Sequence, residues 1–516
     1  MTDNNKRIAK NTLLLYFRMF FMMAINLYTS RIVLNTLGIE DYGIQNVVGG
    51  VITMLSFLTN SLGAATSRFI TYDLGKNDIN NLKNTFGNIL SIHILLSILI
   101  LTIGETIGLY FLKYQLTIPT NRIDAAFWVY QFSVFSSILA VLSVPYNAII
   151  IAHEKMGAFA YITIIDAILK LLIVYLLIIS PLDKLVTYSF FLFLIQSIDR
   201  LIYSIYCKSK FIEAKAKPQF DKKIFRNIFS FAGWTMNGNL AIIGYTQGLN
   251  ILLNIFFGPA INAARGIAVQ VQNVIRNFCN NFQMALNPQI TKSFAKGDLT
   301  NMHNLIIVSS KFSFYLLFLL SLPIMLEAHI ILNWWLGIIP NHTIIFLRLI
   351  LCSCMLIALS NPIIISIHAT GKIKKFQLIE GSMLLTIVPI AYILLKIYHL
   401  PPESVFVTHI IIEILTQYIR LKIVLPLISM DINSYANKVV TPIIKVISIA
   451  SIPSILISHL FKTNEILHFI ITIFSTTIFI VIAIYWGGCN GSERTYILNK
   501  LKVTYCNLSK LIKERQ

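Results

Sequence analysis

The chain has 516 residues, of which 56% are hydrophobic and only 12% are charged. A soluble domain carries about 25% charged residues, so this composition excludes an ordinary water-soluble enzyme, and its hydrophobicity excludes a disordered chain. The net charge is +20, and because no soluble basic domain holds the surplus, it does not indicate nucleic-acid binding.

Polar, proline and glycine breaks divide the apolar residues into blocks long enough to cross about 30 Å of hydrocarbon. The sequence therefore predicts an all-α polytopic membrane protein with about fourteen transmembrane helices. The predicted helices span residues 11–37, 43–70, 84–112, 123–150, 159–180, 184–207, 227–257, 261–291, 305–333, 343–368, 376–398, 403–425, 438–461 and 465–486. The first apolar stretch is too long for a cleavable signal peptide.

Lysine and arginine concentrate in alternate loops, which predicts that the N- and C-termini are both cytoplasmic. Two of these predicted inside segments stand out. Residues 208–226 carry seven basic residues, and the tail 487–516 combines lysines with apolar residues at helical spacing. Both segments are predicted to contact anionic lipid headgroups. A partner-binding role of the tail is an alternative.

The sequence repeats itself faintly after about 220 residues. Five identities at that offset are Asn60–Asn280, Ala65–Ala285, Thr71–Thr291, Lys76–Lys296 and Asp78–Asp298, and four more at about 217 are Pro145–Pro362, Ala152–Ala369, Lys155–Lys372 and Phe159–Phe376. A step of six helices keeps orientation, so the repeat is parallel. The predicted organisation is a lobe 1–207, a linker 208–226, a lobe 227–425, two further helices in 438–486 and the tail 487–516. Two repeated lobes favour a transporter, because transporters commonly bind substrate at such an interface.

Charged and amide side chains inside the spans are candidate binding residues, because they are costly in hydrocarbon and usually face a cavity or a partner. The predicted substrate-binding residues are Arg18, Thr29, Asn239, Asn250, Arg265, Gln272, Arg276, Gln283 and Lys311. Arginine, amide and hydroxyl groups together suit a ligand with anionic oxygens and hydroxyls. As alternatives, the amides could hydrogen-bond between helices and Lys311 could reach the membrane surface.

Acidic residues inside the spans are fewer. Glu105, Glu380 and Glu413 are candidate ion- or proton-coupling groups, although Glu413 could instead pair with Arg420, and Asp166 and Lys170 are predicted to neutralise each other one helical turn apart. The sequence shows no catalytic motif and no metal-ligand spacing among its six cysteines, so it predicts a protein that is not an enzyme and has no cofactor or metal.

Two segments resemble a known family. They are NTLLLYFRMFFMMAINLYTSRIVLNTLGIEDYGIQNVVGG (Asn11–Gly50) and GPAINAARGIAVQVQNVIRNFCNNFQMALNPQITKSFAKGD (Gly258–Asp298). Both are similar to polysaccharide-biosynthesis flippases of the Wzx type, which export O-antigen, capsule or exopolysaccharide units and belong to the MOP superfamily of MATE-like exporters. The similarity runs over nearly the whole chain and matches two six-helix lobes plus two helices.

The resemblance implies that the protein flips an undecaprenyl-diphosphate-linked oligosaccharide across a bacterial inner membrane. Candidate partners are Na⁺ or H⁺ as coupling ions and the polysaccharide polymerase machinery, and the alternatives to an ion gradient as the driving force are the membrane potential and product removal. By analogy, the last two helices would hold the lipid tail. One alternative is a MATE-type cation-coupled antiporter of small drugs or metabolites. The span 11–37 contains no carboxylate that could bind the coupling cation of such an antiporter. Another alternative is a membrane scaffold for a polysaccharide synthase.

Overall fold

A computed structural model describes residues 3–53, 56–114, 118–257, 259–336, 339–460 and 464–495. Within these ranges the chain is almost wholly helical and contains no β-strand. The α-helices, in chain order, are α1 Asp3–Thr53, α2 Ser56–Lys76, α3 Ile79–Ile103, α4 Leu109–Tyr114, α5 Ile123–Ala152, α6 Met156–Ile179, α7 Lys184–Lys210, α8 Lys222–Phe257, α9 Pro259–Ala295, α10 Leu299–Leu326, α11 Ala328–Leu336, α12 Thr343–Ala358, α13 Ser360–Thr370, α14 Lys374–Leu385, α15 Ile387–Lys396, α16 Glu403–Val424, α17 Ile432–Tyr435, α18 Thr441–Leu460 and α19 Glu465–Ala483.

Each predicted transmembrane helix lies on observed helical structure, which confirms the all-α membrane fold. Ten helical stretches in the described residues are long and apolar enough to cross a membrane. The predicted spans 11–37, 43–70, 261–291 and 403–425 lie on the remaining long helices α1, α2, α9 and α16. The tail residues 496–516, including most of the predicted amphipathic helix, lie outside the described residues.

The boundary between the first two predicted helices is a kink rather than a loop. Helix α1 continues to Thr53, and its one residue with non-helical backbone angles is Gly38, at φ 80°. An L-residue with a side chain is strained at that angle, whereas glycine adopts it freely. Gly38 therefore separates two helical segments, and the chain changes direction at this residue.

The chain divides into two compact units. Unit 1 comprises Met1–Thr246, Asn280–Leu305 and Ile364–Leu385, and unit 2 comprises Gln247–Cys279, Ile306–Ile363 and Thr386–Gln516. These units are defined by contacts, whereas the lobes 1–207 and 227–425 are defined by the sequence repeat. The lobe boundaries stay a prediction.

Two turns in unit 1 have the same construction at positions related by the repeat. In the first, Asn77 adopts φ 57° and the Asp78 carboxylate accepts the backbone N–H of Asn81 at 3.0 Å. In the second, Gly297 adopts φ 76° and the Asp298 carboxylate accepts the backbone N–H of Asn301 at 3.0 Å. Each aspartate thereby satisfies a free N–H at the start of the next helix.

A pair of charged contacts follows the same repeat. Arg122, just before α5, donates to Asp183, just before α7, at 2.5 Å in unit 1. His342, just before α12, contacts Glu403 at the start of α16 in unit 2. Both pairs are separated by 61 residues, and each member of the second pair lies 220 positions after its counterpart. The contact is therefore repeated, with histidine in the second copy where the first has arginine.

The linker between α7 and α8 is folded against unit 1. The backbone N–H of Gln219 donates to the Gly87 carbonyl at 3.2 Å, and the N–H of Asp221 donates to the Asn88 side chain at 2.7 Å. The buried carboxylate of Glu213 contacts His153 Nε2 at 2.5 Å. Burial alone would raise the pKa of Glu213, but its hydrogen bond with His153 and the positive charges nearby outweigh burial and lower this pKa.

Candidate functional site

Unit 2 brings two predicted binding residues into direct contact. Arg265, on α9, donates from Nη1 to Oδ1 of Asn250, on α8, at 3.1 Å. Both side chains are partly exposed. Asn250 thus orients a permanently charged guanidinium inside a membrane-spanning part of the chain, where an arginine is expensive without a partner.

A buried polar cluster on α16 adjoins this contact. Glu413 is 1% exposed and accepts from Arg420 Nη1 at 2.6 Å. Ser360, at the first position of α13, accepts from the same nitrogen at 2.6 Å. His409 lies one turn before Glu413 and is in electrostatic range of both Glu413 and Arg265. The predicted alternative for Glu413, a pair with Arg420, is therefore the observed arrangement.

Further along α9, the structure places Gln272 and Arg276 next to α12. A side-chain hydrogen bond joins Gln272 to Cys354. Arg276 is partly buried close to Cys354 and Cys279, and in the described residues no hydrogen bond or ion pair to its guanidinium is observed. Arg265 and Arg276 are therefore two positive charges on one helix of unit 2.

Lys311 lies elsewhere in unit 2, in contact with the segment after α19. It is 2% exposed. Its Nζ donates to the Gly488 carbonyl at 3.1 Å and to Glu493 at 2.8 Å. Tyr315 donates to the same carbonyl at 3.3 Å. Lys311 therefore has a structural partner, and its predicted role in substrate binding stays a prediction.

The other predicted binding residues lie in unit 1 and are more scattered. The Arg18 guanidinium stacks over the Phe159 ring at 4.7 Å, and its buried Nε has no hydrogen-bond partner in the described residues. The Thr29 hydroxyl donates to the Asn26 carbonyl at 3.2 Å, and Asn239 donates to Ser61 Oγ at 2.9 Å. Gln283 is buried, at 3% exposure.

Beside Arg18 lies an acidic pair that sequence reasoning missed. The side chains of Asp166, on α6, and Asp199, on α7, lie within electrostatic range of each other. Lys170 donates to Asp166 at 2.8 Å, as predicted, but Asp199 was not among the candidate residues. Tyr203 is in electrostatic range of Arg18 and of both aspartates. The sequence did contain a signal for this site, because Asp199 is an acidic residue inside the predicted span 184–207.

Asp199 is 8% exposed, and its Oδ1 has no hydrogen-bond partner in the described residues. Lys170, which pairs with Asp166, is also in electrostatic range of Asp199. A buried carboxyl group inside a membrane span is costly and is a candidate site for ion or proton coupling.

The predicted coupling residues Glu105 and Glu380 also lie in unit 1. Glu105 accepts from Gln131 Nε2 at 3.2 Å, while its buried Oε1 has no hydrogen-bond partner in the part of the chain described. Glu380 is 9% exposed on α14. Among the described residues no group of three His, Cys, Asp or Glu side chains is placed to hold a metal ion.

Comparison with protein families gives one match, over residues 8–294, to the model described as "Polysaccharide biosynthesis protein". A search among curated proteins gives no significant match.

Solved structures with the same fold are MATE and MOP transporters. A MATE crystal structure in the bent conformation superposes with a TM-score of 0.72 at 16% identity, covering 83% of this chain and 96% of the other. An outward-facing multidrug resistance MATE transporter gives 0.71 at 15%, covering 83% and 97%. A MOP superfamily transporter from Pyrococcus furiosus, described as having a binding pocket of reverse polarity, gives 0.66 at 15%, covering 83% and 96%. The chain therefore shares the fold of these structures.

Proposed function

Because the chain belongs to the polysaccharide biosynthesis protein family and has a transporter fold, we propose that it flips an undecaprenyl-diphosphate-linked oligosaccharide across the membrane by alternating access. The observation that carries the proposal is the group on α9 formed by Arg265, with its partner Asn250, and Arg276. Guanidinium groups bind phosphate oxygens in a bidentate manner and stay charged at any depth in the membrane. Amides beside them suit sugar hydroxyls.

Further contacts with the same substrate are proposed for Arg18, Thr29, Asn239, Gln272 and Gln283, whereas Lys311 already has partners in the chain. Arg18 supports this best, because its Nε is buried in unit 1 without a hydrogen-bond partner in the described residues. Thr29, Asn239, Gln272 and Gln283 would supply hydroxyl and amide contacts. The membrane would be the bacterial inner membrane, with both termini cytoplasmic, and the polymerase machinery would take over the flipped unit.

Cells that lack their own flippase provide the first test. Wild-type protein should restore outward exposure of the lipid-linked oligosaccharide. The Arg276→Ala and Arg265→Ala variants should each lower the rate of this exposure about tenfold or more, because a hydrogen bond to a charged group contributes about 1.5–3 kcal/mol to substrate binding. Arg348→Ala is the matched control, since Arg348 is an exposed arginine of α12 that donates to the Met325 carbonyl. Equal activity of all three variants at equal expression would remove the proposed role of the two arginines.

We propose proton exchange at the Asp166–Asp199 pair as the coupling step. The burial of Asp199 beside Asp166, with its Oδ1 without a hydrogen-bond partner in the described residues, supports it, because acidic residues inside membrane spans are typical of proton relays in transporters. Asp199→Asn should abolish the dependence of transport on a pH gradient. Transport by the wild type that a Na⁺ gradient drives in the absence of a pH gradient would contradict proton coupling. Glu105, Glu380 and Glu413 stay weaker candidates, and Glu413 already pairs with Arg420.

A MATE-type antiporter of small cations is the second candidate function, because its fold is shared. A cationic site suits cationic drugs poorly. Efflux of a cationic dye in the absence of any lipid-linked oligosaccharide exposure would favour the antiporter over the flippase.

A further inference from the structure

The linker and the helix ends beside it form a basic and aromatic surface on unit 1. We call residues 208–229 the basic strap. Only Phe211 to Asp221 separate α7 from α8, and both helices belong to stretches long and apolar enough to cross a membrane. The strap therefore lies at the membrane surface, at the end of these helices predicted to be cytoplasmic. Its backbone is held to α3 through Gln219 and Asp221.

Within the described residues, no ion pair neutralises the positive charge of the strap. All seven of its basic side chains are exposed, and in the described residues none of them makes a hydrogen bond or ion pair: Lys208, Lys210, Lys215, Lys217, Lys222, Lys223 and Arg226. Its two acids are engaged elsewhere. Glu213 is buried against His153, and the Asp221 carboxylate accepts the backbone N–H groups of Lys223 and Ile224 at 2.8 and 3.0 Å.

Three phenylalanines lie among these cations. Phe220 is 70% exposed and Phe229 is 57% exposed. Phe225 lies between them, with ring centroids 5.0 Å from Phe220 and 5.9 Å from Phe229. Exposed aromatic rings beside lysines are typical of segments that lie in the headgroup region, where the rings enter the acyl boundary and the cations reach the phosphates.

We propose that the basic strap is a binding surface for anionic phospholipids of the leaflet on its side of the membrane, with Phe220 inserted below their headgroups. The positive charge of the strap complements anionic headgroups. The strap also connects two membrane-spanning helices, so the bilayer surface always lies next to it, which favours lipid over an acidic protein as its partner. The surface is independent of the substrate site and of what is transported.

The test uses full-length protein reconstituted in lipid nanodiscs. A Phe220→Trp variant adds one fluorophore, and its extra emission relative to the wild type is followed with brominated phospholipids as quenchers. Brominated phosphatidylglycerol should quench this emission more than brominated phosphatidylcholine at equal mole fraction. Adding Lys215→Gln, Lys217→Gln and Lys222→Gln should remove most of that preference.

The control adds Lys113→Gln, Lys184→Gln and Lys396→Gln instead, three exposed lysines in segments predicted to lie on the opposite side. It removes the same charge and should leave the preference intact. Equal quenching by the two lipids, or equal loss in both triple variants, would overturn the proposal. So would extra emission from the Phe220→Trp variant that aqueous iodide quenches and brominated lipids do not, which would instead indicate a surface open to a protein partner.

Discussion

At the scale of single residues, the ion pairs inside the membrane decide which charges are available to a ligand. Lys311 and Glu413 have partners in the chain, whereas Arg276 shows no such partner in the described residues. Composition predicted that these charges face something other than lipid. Composition could not predict which charges pair within the chain and which are left for a ligand, because Glu493, the partner of Lys311, lies 182 residues away.

The Lys311–Glu493 pair leads to a stability prediction. Lys311→Met should destabilise the protein, because it leaves the Glu493 carboxylate without its cation. The loss should be less than the about 3–5 kcal/mol of a fully buried pair, because the Glu493 side chain is 15% exposed. Thermal unfolding of the purified protein measures it.

The double variant Lys311→Met with Glu493→Gln is the control for that prediction and should recover much of the loss. If Lys311→Met alone is as stable as the wild type but inactive in transport, the structural role of Lys311 is contradicted and a role in substrate binding is supported.

Glu213 gives a pH-dependent prediction. Its pKa is lower in the folded protein than the ordinary value, so its contribution to stability is complete above that ordinary value and is lost as the pH falls through the folded-state pKa. As the pH falls below 4.5, the ordinary value for this side chain, the melting temperature of the wild type should fall more than that of Glu213→Gln. Parallel pH profiles of the two proteins would contradict the contact with His153.

At the scale of elements, the repeat explains paired features that no single helix explains. The Asp78 and Asp298 turns and the Arg122–Asp183 and His342–Glu403 contacts recur at one offset. Sequence comparison predicted the repeat from Lys76–Lys296 and Asp78–Asp298, but it missed the second pair of contacts, because histidine and glutamate replace arginine and aspartate there.

The replacement of arginine by histidine gives a stability prediction for unit 2. A guanidinium is permanently charged and can bind a carboxylate through two parallel hydrogen bonds. His342→Arg should therefore strengthen the contact with Glu403 and stabilise the protein by less than about 1 kcal/mol, as expected for a partly exposed pair. Thermal unfolding measures the effect, and a variant less stable than the wild type would contradict it.

Helix packing next to the second turn gives another prediction. A Cβ at Gly75 would lie 2.6 Å from Ala295 Cβ and 3.1 Å from the Lys292 backbone. Gly75→Ala should therefore destabilise unit 1 by about 1–3 kcal/mol through overpacking, measured by thermal unfolding. Adding Ala295→Gly should restore part of the loss, and no effect of either change would show that α2 and α9 are not packed this closely.

Hydrophobic length and breaks predicted the helices well, because spanning segments must satisfy their backbone groups internally. The kink at Gly38 and the docking of the linker were not predictable in the same way. The linker was recognised by its seven basic residues, but its position depends on Gly87 and Asn88, more than 130 residues earlier in the chain. Asp199 was missed because its partner Asp166 lies on another helix and was already assigned to Lys170.

At the scale of the whole molecule, the chain belongs to the polysaccharide biosynthesis protein family and has the fold of MATE structures, and the arginines on α9 support the proposed anionic substrate. Helices α18 and α19 belong to the two least buried spans, with 22% of the most apolar window of each buried. They therefore leave apolar surface for lipid, and the proposed function assigns this surface to the tail of the lipid-linked substrate. Removing the chain after Leu425 should abolish transport of a lipid-linked oligosaccharide, and unimpaired transport would contradict that role.

The most direct test of the proposed function is transport in proteoliposomes that contain only this protein and an undecaprenyl-diphosphate-linked oligosaccharide. Exposure of the glycan on the far leaflet is measured by accessibility to an impermeant glycan-modifying enzyme. We expect wild type and Arg348→Ala to flip the lipid at equal rates and Arg276→Ala to be slower by about tenfold or more. No flipping by correctly inserted wild-type protein, together with exchange of a cationic dye for protons, would contradict a flippase.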